Sequence, residues 1–354
     1  MKNEFVIADY CRQQLMNDTV LFNDYVNKKP CFIFSLIKEK NEFQYNINQL
    51  LCQQKIRNYF VSETVKKIYE CQYDIVGIKG LFLQGVYYDS PYIRLYNDID
   101  LLARPDNCVH IMKFLLKNGF TIAPSRSLFD NSLFGAYIFG KEYFTRACHI
   151  VLYKPLNNGA NILIELHGNL NKCASGNLNF DVINMINNSI KKEINGITVK
   201  TLCPSDNLIY IMFHTIKHLS YISFSKNPNK MINLQSFFDV AQIITREKIA
   251  WQSFLNNSIK YNILPFIALF SYIFNDIFPN LIPQIILDEI LYLTTKKEFV
   301  WKPIYYEVRQ LKPKDIILGN LKEIEDINSL YNRCKFSASS KTILREYCKQ
   351  KKGD

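Results

Sequence analysis

Glycine and proline are scarce in this chain, twelve of each among 354 residues, while 48% of the residues are hydrophobic. That balance excludes a disordered chain and leaves a globular one, with room for one large domain or two modest ones. Apolar runs long enough to cross a bilayer are missing too. The most apolar stretch, ILPFIALFSYIF at Ile263 to Phe274, stops at Asn275 and Asp276 and reads as a buried helix, so no membrane partner is expected. The ten cysteines include no C-x-x-C pair and no Cys/His cluster at zinc-finger spacing. No structural zinc is expected, and scattered, reduced, mostly buried thiols fit a cytoplasmic protein. The first residues, MKNEFVIADYCRQQL, carry acids where a secretion signal needs an apolar run, which points to the same compartment.

Charge is unevenly supplied. Forty-three basic residues against 32 acidic ones leave a formal charge of +11, which favours anionic partners such as nucleotides or nucleic acid, or else describes a generally basic, soluble surface.

Texture divides the chain into three. From Phe5 to about Glu70 apolar residues recur at helical spacing, so residues 1–72 read as an N-terminal helical segment. Residues 73–202 then alternate. YDIVGIKG is a short apolar run ending in glycine, a buried strand and tight turn; LFLQGVYYD fits a short helix, NDIDLLA a strand, and DNCVHIMKFLLKNGF a helix with Gly119 just past its end. CHIVLYK and NILIELHG follow as a strand pair around the turn PLNNGA. The fold class expected is α/β (α+β): a small mixed sheet flanked by helices. After CPSDN, where Ser205 can cap a helix, residues 203–354 stay mostly helical, and the last twenty are polar and basic.

Within NDIDLLA, Asp98 and Asp100 project from one face of a strand while Ile99 and Leu101 enter the other. Two carboxylates that close repel unless something positive lies between them. A divalent cation with hard oxygen ligands, Mg²⁺ or Mn²⁺, satisfies that requirement; two solvated aspartates on a strand edge are the plain alternative. Lys79-Gly80 and Arg94 lie upstream, and Glu165 lies on a later strand, where a third carboxylate would complete a site for in-line displacement.

The stretch IKGLFLQGVYYDSPYIRLYNDIDLLARPDNCVHIMKFLLKNGF resembles the uncharacterised bacterial nucleotidyltransferase family, a branch of the DNA polymerase beta superfamily. ILIELHGNL looks like that family's Glu-Leu-His strand. LIYIMFHTIKHLS and LQSFFDVAQII look like its His-bearing and Asp-bearing helices, so the resemblance runs from Ile75 to Pro279. It implies a magnesium-dependent transferase that moves an NMP group from an NTP, ATP or another, to a hydroxyl of a small molecule, protein or RNA. Asp98, Asp100 and Glu165 become metal ligands, with Glu165 also a candidate base. Lys79 and Gly80 take the turn where the superfamily has Gly-Ser facing the triphosphate. The serine is absent and eighteen positions separate Gly80 from Asp98, a longer connection than usual.

Other residues keep two readings. Arg94 either holds a triphosphate oxygen or pairs with Asp98 or Asp89. His167 shares a face with Glu165, either in the outer shell of the metals or as a structural hydrogen-bonder. His214, Lys217 and His218 form a polar helix face that roofs a nucleotide cleft or simply meets solvent, with Asp239 a partner for Lys217 or His218. Two further functional readings stand beside the enzyme: a degenerate nucleotide- or peptide-binding adaptor, for which the missing serine speaks, and an RNA-directed transferase or toxin, for which only the charge speaks.

Overall fold

The computed structural model describes residues 55–122, 140–170 and 178–296, apart from breaks at 57, 72, 90–93, 95, 147–148, 157–160 and 223–233. These residues form two compact units, one over 55–170 and 178–207 and the other over 208–296.

The first unit is built on a seven-stranded mixed sheet. Its strands are β1 (Ile75–Ile78), β2 (Ile99–Ala103), β3 (Thr121–Ile122), β4 (His149–Pro155), β5 (Asn161–His167), β6 (Ile190–Ile194) and β7 (Ile197–Thr201), in the order β3-β4-β5-β2-β1-β7-β6. β2 runs parallel to β5 and antiparallel to β1, so β2 sits centrally between elements far apart in sequence. Alternation decides which side chains meet the core. Ile99, Leu101 and Ala103 of β2, Ile150 and Leu152 of β4, and Ile162, Ile164 and Leu166 of β5 all enter one hydrophobic cluster. A helix over 58–69 (α1) adds Val61, Val65 and Ile68, and the helix Pro105–Lys117 (α3) adds Cys108, Ile111, Met112 and Leu115. Part of the expected N-terminal helical segment thus packs into the core of the sheet, and residues 1–54 lie outside the described ones. Each such aliphatic side chain contributes about 1.5–3 kcal/mol when fully buried. A one-residue slip of β2 would exchange Leu101 for Asp100 in that core, so the register is strongly held.

The hairpin β6–β7 was not anticipated from the sequence. Asn195 and Gly196 at its tip have φ of 51° and 75°, the left-handed pair that a two-residue hairpin turn needs. The Asn-Gly signal was present, but IKKEI between polar neighbours offers little apolar alternation to mark it as a strand.

The helix Gly80–Tyr87 (α2) follows β1 directly. Short helices Lys141–Arg146 (α4) and Val182–Asn187 (α5) precede β4 and β6. A longer helix, Pro204–Ile222 (α6), begins where the sheet unit ends. It starts at Pro204 rather than behind a Ser205 cap. Ser205 is buried inside the first turn, and the Cys203 thiol donates to Asp206 Oδ2 at 3.3 Å instead. In the helical unit α6 is followed by α7 (Leu234–Arg246), α8 (Trp251–Lys260), α9 (Leu264–Ile277) and α10 (Gln284–Lys296). Aromatic contacts join them: Phe237 stacks on Phe270 at 4.6 Å, and Phe213 meets Phe266 edge-on at 5.0 Å. No described helix is long and apolar enough to cross a membrane, and the Ile263–Phe274 stretch forms the buried helix α9.

Candidate active site

The alternation that buries Ile99 and Leu101 turns Asp98 and Asp100 to the opposite face of the sheet. The same rule on β5 buries Ile164 and Leu166 and turns Glu165 and His167 to that face. Because β2 and β5 are parallel neighbours with Asp100 beside Glu165, the two sets meet. One carboxylate oxygen from each of Asp98, Asp100 and Glu165 lies within 4.8 Å of the others.

That crowding has an electrostatic consequence. Burial, then the charges of Asp100 and Glu165, push the Asp98 carboxyl up to about 6, with Lys79 opposing only in part. Glu165 behaves differently. Burial alone would raise it, but the hydrogen bond and charge of His167, followed by the charges of His149 and Lys79, hold it well below the usual carboxylate range. Glu165 is therefore a firmly ionised carboxylate and, in this network, a weak proton acceptor.

Asp100 is only 2% exposed and is met from two sides: Lys79 Nζ lies 2.8 Å from its Oδ1, and His167 Nε2 lies 3.2 Å from the same oxygen. His167 Nε2 is also 3.4 Å from Glu165 Oε2, so one imidazole joins the two carboxylates. Three hard oxygen donors, Asp98 just ahead of β2, Asp100 on β2 and Glu165 on β5, with a negative charge surplus at Asp98, fit a divalent cation of the Mg²⁺ or Mn²⁺ type.

Lys79 reaches Asp100 from an unusual turn. Its φ and ψ of 55° and −152° fall where residues other than glycine rarely sit, at a cost of about 1–3 kcal/mol. Gly80 follows with φ of 32° and opens α2, and a Cβ there would come within 3.1 Å of the Asp98 backbone oxygen. Glycine thus lets the helix N-terminus come up against the Asp98 backbone. Arg94 is buried beneath the turn and its Nη1 donates to the Gly80 carbonyl at 2.8 Å, while Gln84 Nε2 donates to the Arg94 carbonyl.

The residues taken from the later helices belong to the other unit. On α6 Lys217 Nζ lies 5.6 Å from the centre of the Phe213 ring and His214 packs on Tyr210; Asp239 on α7 is 2% exposed. The His218 side chain lies outside the described residues. One neighbour of the acids escaped the sequence reading altogether. His149 stands opposite His167 across the β4–β5 pair, with ring centres 4.9 Å apart. Nothing in CHIVLYK announces it, because its place depends on strand register.

No curated protein matches the chain. Among solved structures, an antigenic nucleotidyltransferase-like protein from Paracoccidioides brasiliensis is similar at 15% identity, over 57% of this chain and 86% of that one, with a TM-score of 0.31. The family described as uncharacterised nucleotidyltransferase matches residues 44–279, about two thirds of the 354-residue chain and a span that takes in the whole acidic site. The chain belongs to this uncharacterised nucleotidyltransferase family.

Proposed function

We propose that the protein transfers an NMP group from an NTP to a hydroxyl acceptor, using a divalent cation held by Asp98, Asp100 and Glu165. The observation that carries this reading is the meeting of three carboxylates within 4.8 Å on parallel strands, in a chain of nucleotidyltransferase family. Mg²⁺ or Mn²⁺ at these oxygens would neutralise triphosphate charge and make the acceptor hydroxyl more acidic. The remaining work falls to the chain itself. Asp98, Asp100 and Glu165 would hold the cation at the paired strands β2 and β5, where it would help orient the α-phosphate towards the acceptor.

Lys79 balances Asp100 in the resting arrangement and supplies a positive charge beside the α2 N-terminus, where backbone N–H groups favour phosphate. Gly80 allows close approach of that backbone. Arg94 is assigned to positioning: by gripping the Gly80 carbonyl it keeps the turn in place. His167 keeps Glu165 ionised and aligned with Asp100, consistent with Glu165 serving as a ligand more than as a base.

The test is incubation of the purified protein with each α-labelled NTP and Mg²⁺ or Mn²⁺, with and without cell extract. Label appearing in a product of definite size would identify the acceptor class. No label with any NTP, metal or extract would refute the transferase reading and favour the adaptor.

A further inference from the structure

A second group of ligand atoms adjoins the acidic trio. His149 on β4 and His167 on β5 are directly opposed in antiparallel register, which places both imidazoles on the sheet face that carries Glu165. Their ring centres are 4.9 Å apart and the planes are tilted by 44°, so the rings are not stacked face to face. One nitrogen from each histidine and one oxygen from Glu165 fall within 4.8 Å of one another. His149 Nδ1 is buried with no hydrogen-bond partner among the described residues, an unfavourable arrangement unless something meets that atom.

We propose that His149, His167 and Glu165 form a binding site for a divalent first-row transition metal ion, chemically distinct from the all-oxygen group of Asp98, Asp100 and Glu165. Two imidazoles and one carboxylate suit ions such as Zn²⁺ or Co²⁺, whereas Mg²⁺ takes oxygen ligands. Glu165 belongs to both groups, and its two oxygens allow it to serve an ion on either side. Neutral imidazole is the ligating form, so metal would displace the His167 hydrogen bonds to the carboxylates. The site requires no nucleotide and does not depend on the proposed transfer reaction. Cysteine and histidine spacing could not have disclosed it, since the two histidines are brought together by strand pairing alone.

Co²⁺ alone, titrated into the full chain, provides the test. The wild-type protein is expected to develop visible d–d absorption that saturates, and His149→Gln to weaken Co²⁺ binding about tenfold or more, the scale on which even outer-shell changes alter metal affinity. Asp98→Asn should retain the Co²⁺ absorption, since Asp98 is not in the histidine group. X-ray absorption of the Zn²⁺-loaded wild-type protein gives an answer that needs no variant: two imidazoles should appear in the first coordination shell. A shell without imidazole, or unchanged Co²⁺ affinity in His149→Gln, would overturn the proposal. So would loss of the Co²⁺ absorption in Asp98→Asn, which would mean a single oxygen-centred site. Co²⁺ binding through His149 in a protein that labels no acceptor would sink the transferase reading and leave this one standing.

Discussion

Replacing Asp98 by asparagine should make the metal-free protein more stable while removing its response to Mg²⁺. A carboxyl raised from 3.8 to about 6 corresponds to about 3 kcal/mol of unfavourable ionisation in the folded state. The sign follows from linkage. The folded value lies above the unfolded one, so the favourable contribution is complete below about pH 4 and is lost as pH rises through about 6. Above pH 6 the wild-type protein carries the whole penalty, and Asp98→Asn, with no charge to desolvate or repel, does not. The variant should therefore melt several degrees higher at pH 7.5 in chelator, since 1 kcal/mol moves the Tm of a unit of this size by about 2–4 °C. At pH 4 the difference should largely vanish. Added Mg²⁺ should raise the wild-type Tm saturably and leave the variant nearly unmoved. Scanning calorimetry at the two pH values, with and without metal, reads all of this. A variant that is less stable than wild type at pH 7.5, or equally responsive to Mg²⁺, would refute the crowded-carboxylate reasoning.

Three further outcomes are expected. Glu165→Gln keeps size but removes the charge of one carboxylate proposed to hold the cation, and should lower transfer by about a hundredfold or more while changing NTP affinity much less; equal losses in steady-state kinetics and binding would make Glu165 an organiser of the nucleotide site. Gly80→Ala puts a Cβ at 3.1 Å from the Asp98 carbonyl at a φ of 32°, and should cost about 1 kcal/mol or more in denaturant unfolding together with most NTP binding; wild-type NTP affinity would remove the turn from the phosphate site. If the +11 charge serves an RNA acceptor, binding measured by fluorescence anisotropy should weaken steeply with salt, and a flat dependence would direct attention to a small-molecule or protein acceptor.

Much of the sheet face was legible in the linear sequence because strand alternation is a local property. D-I-D-L-L-A states by itself that Asp98 and Asp100 share one side and Ile99 and Leu101 the other, and I-L-I-E-L-H does the same for Glu165 and His167. Lys79-Gly80 was readable as a turn because glycine ends an apolar run there. Only the tertiary structure decided what stands beside what. The parallel pairing of β2 with β5 joins Asp100 to Glu165 across 65 positions, and the pairing of β4 with β5 sets His149 against His167. Arg94 became a clasp on the Gly80 carbonyl, a role invisible in a charge pattern because it depends on a backbone oxygen presented by a strained turn. Hydrophobic periodicity assigns each residue a face; partners on that face come from long-range strand order, which depends on how the whole core packs.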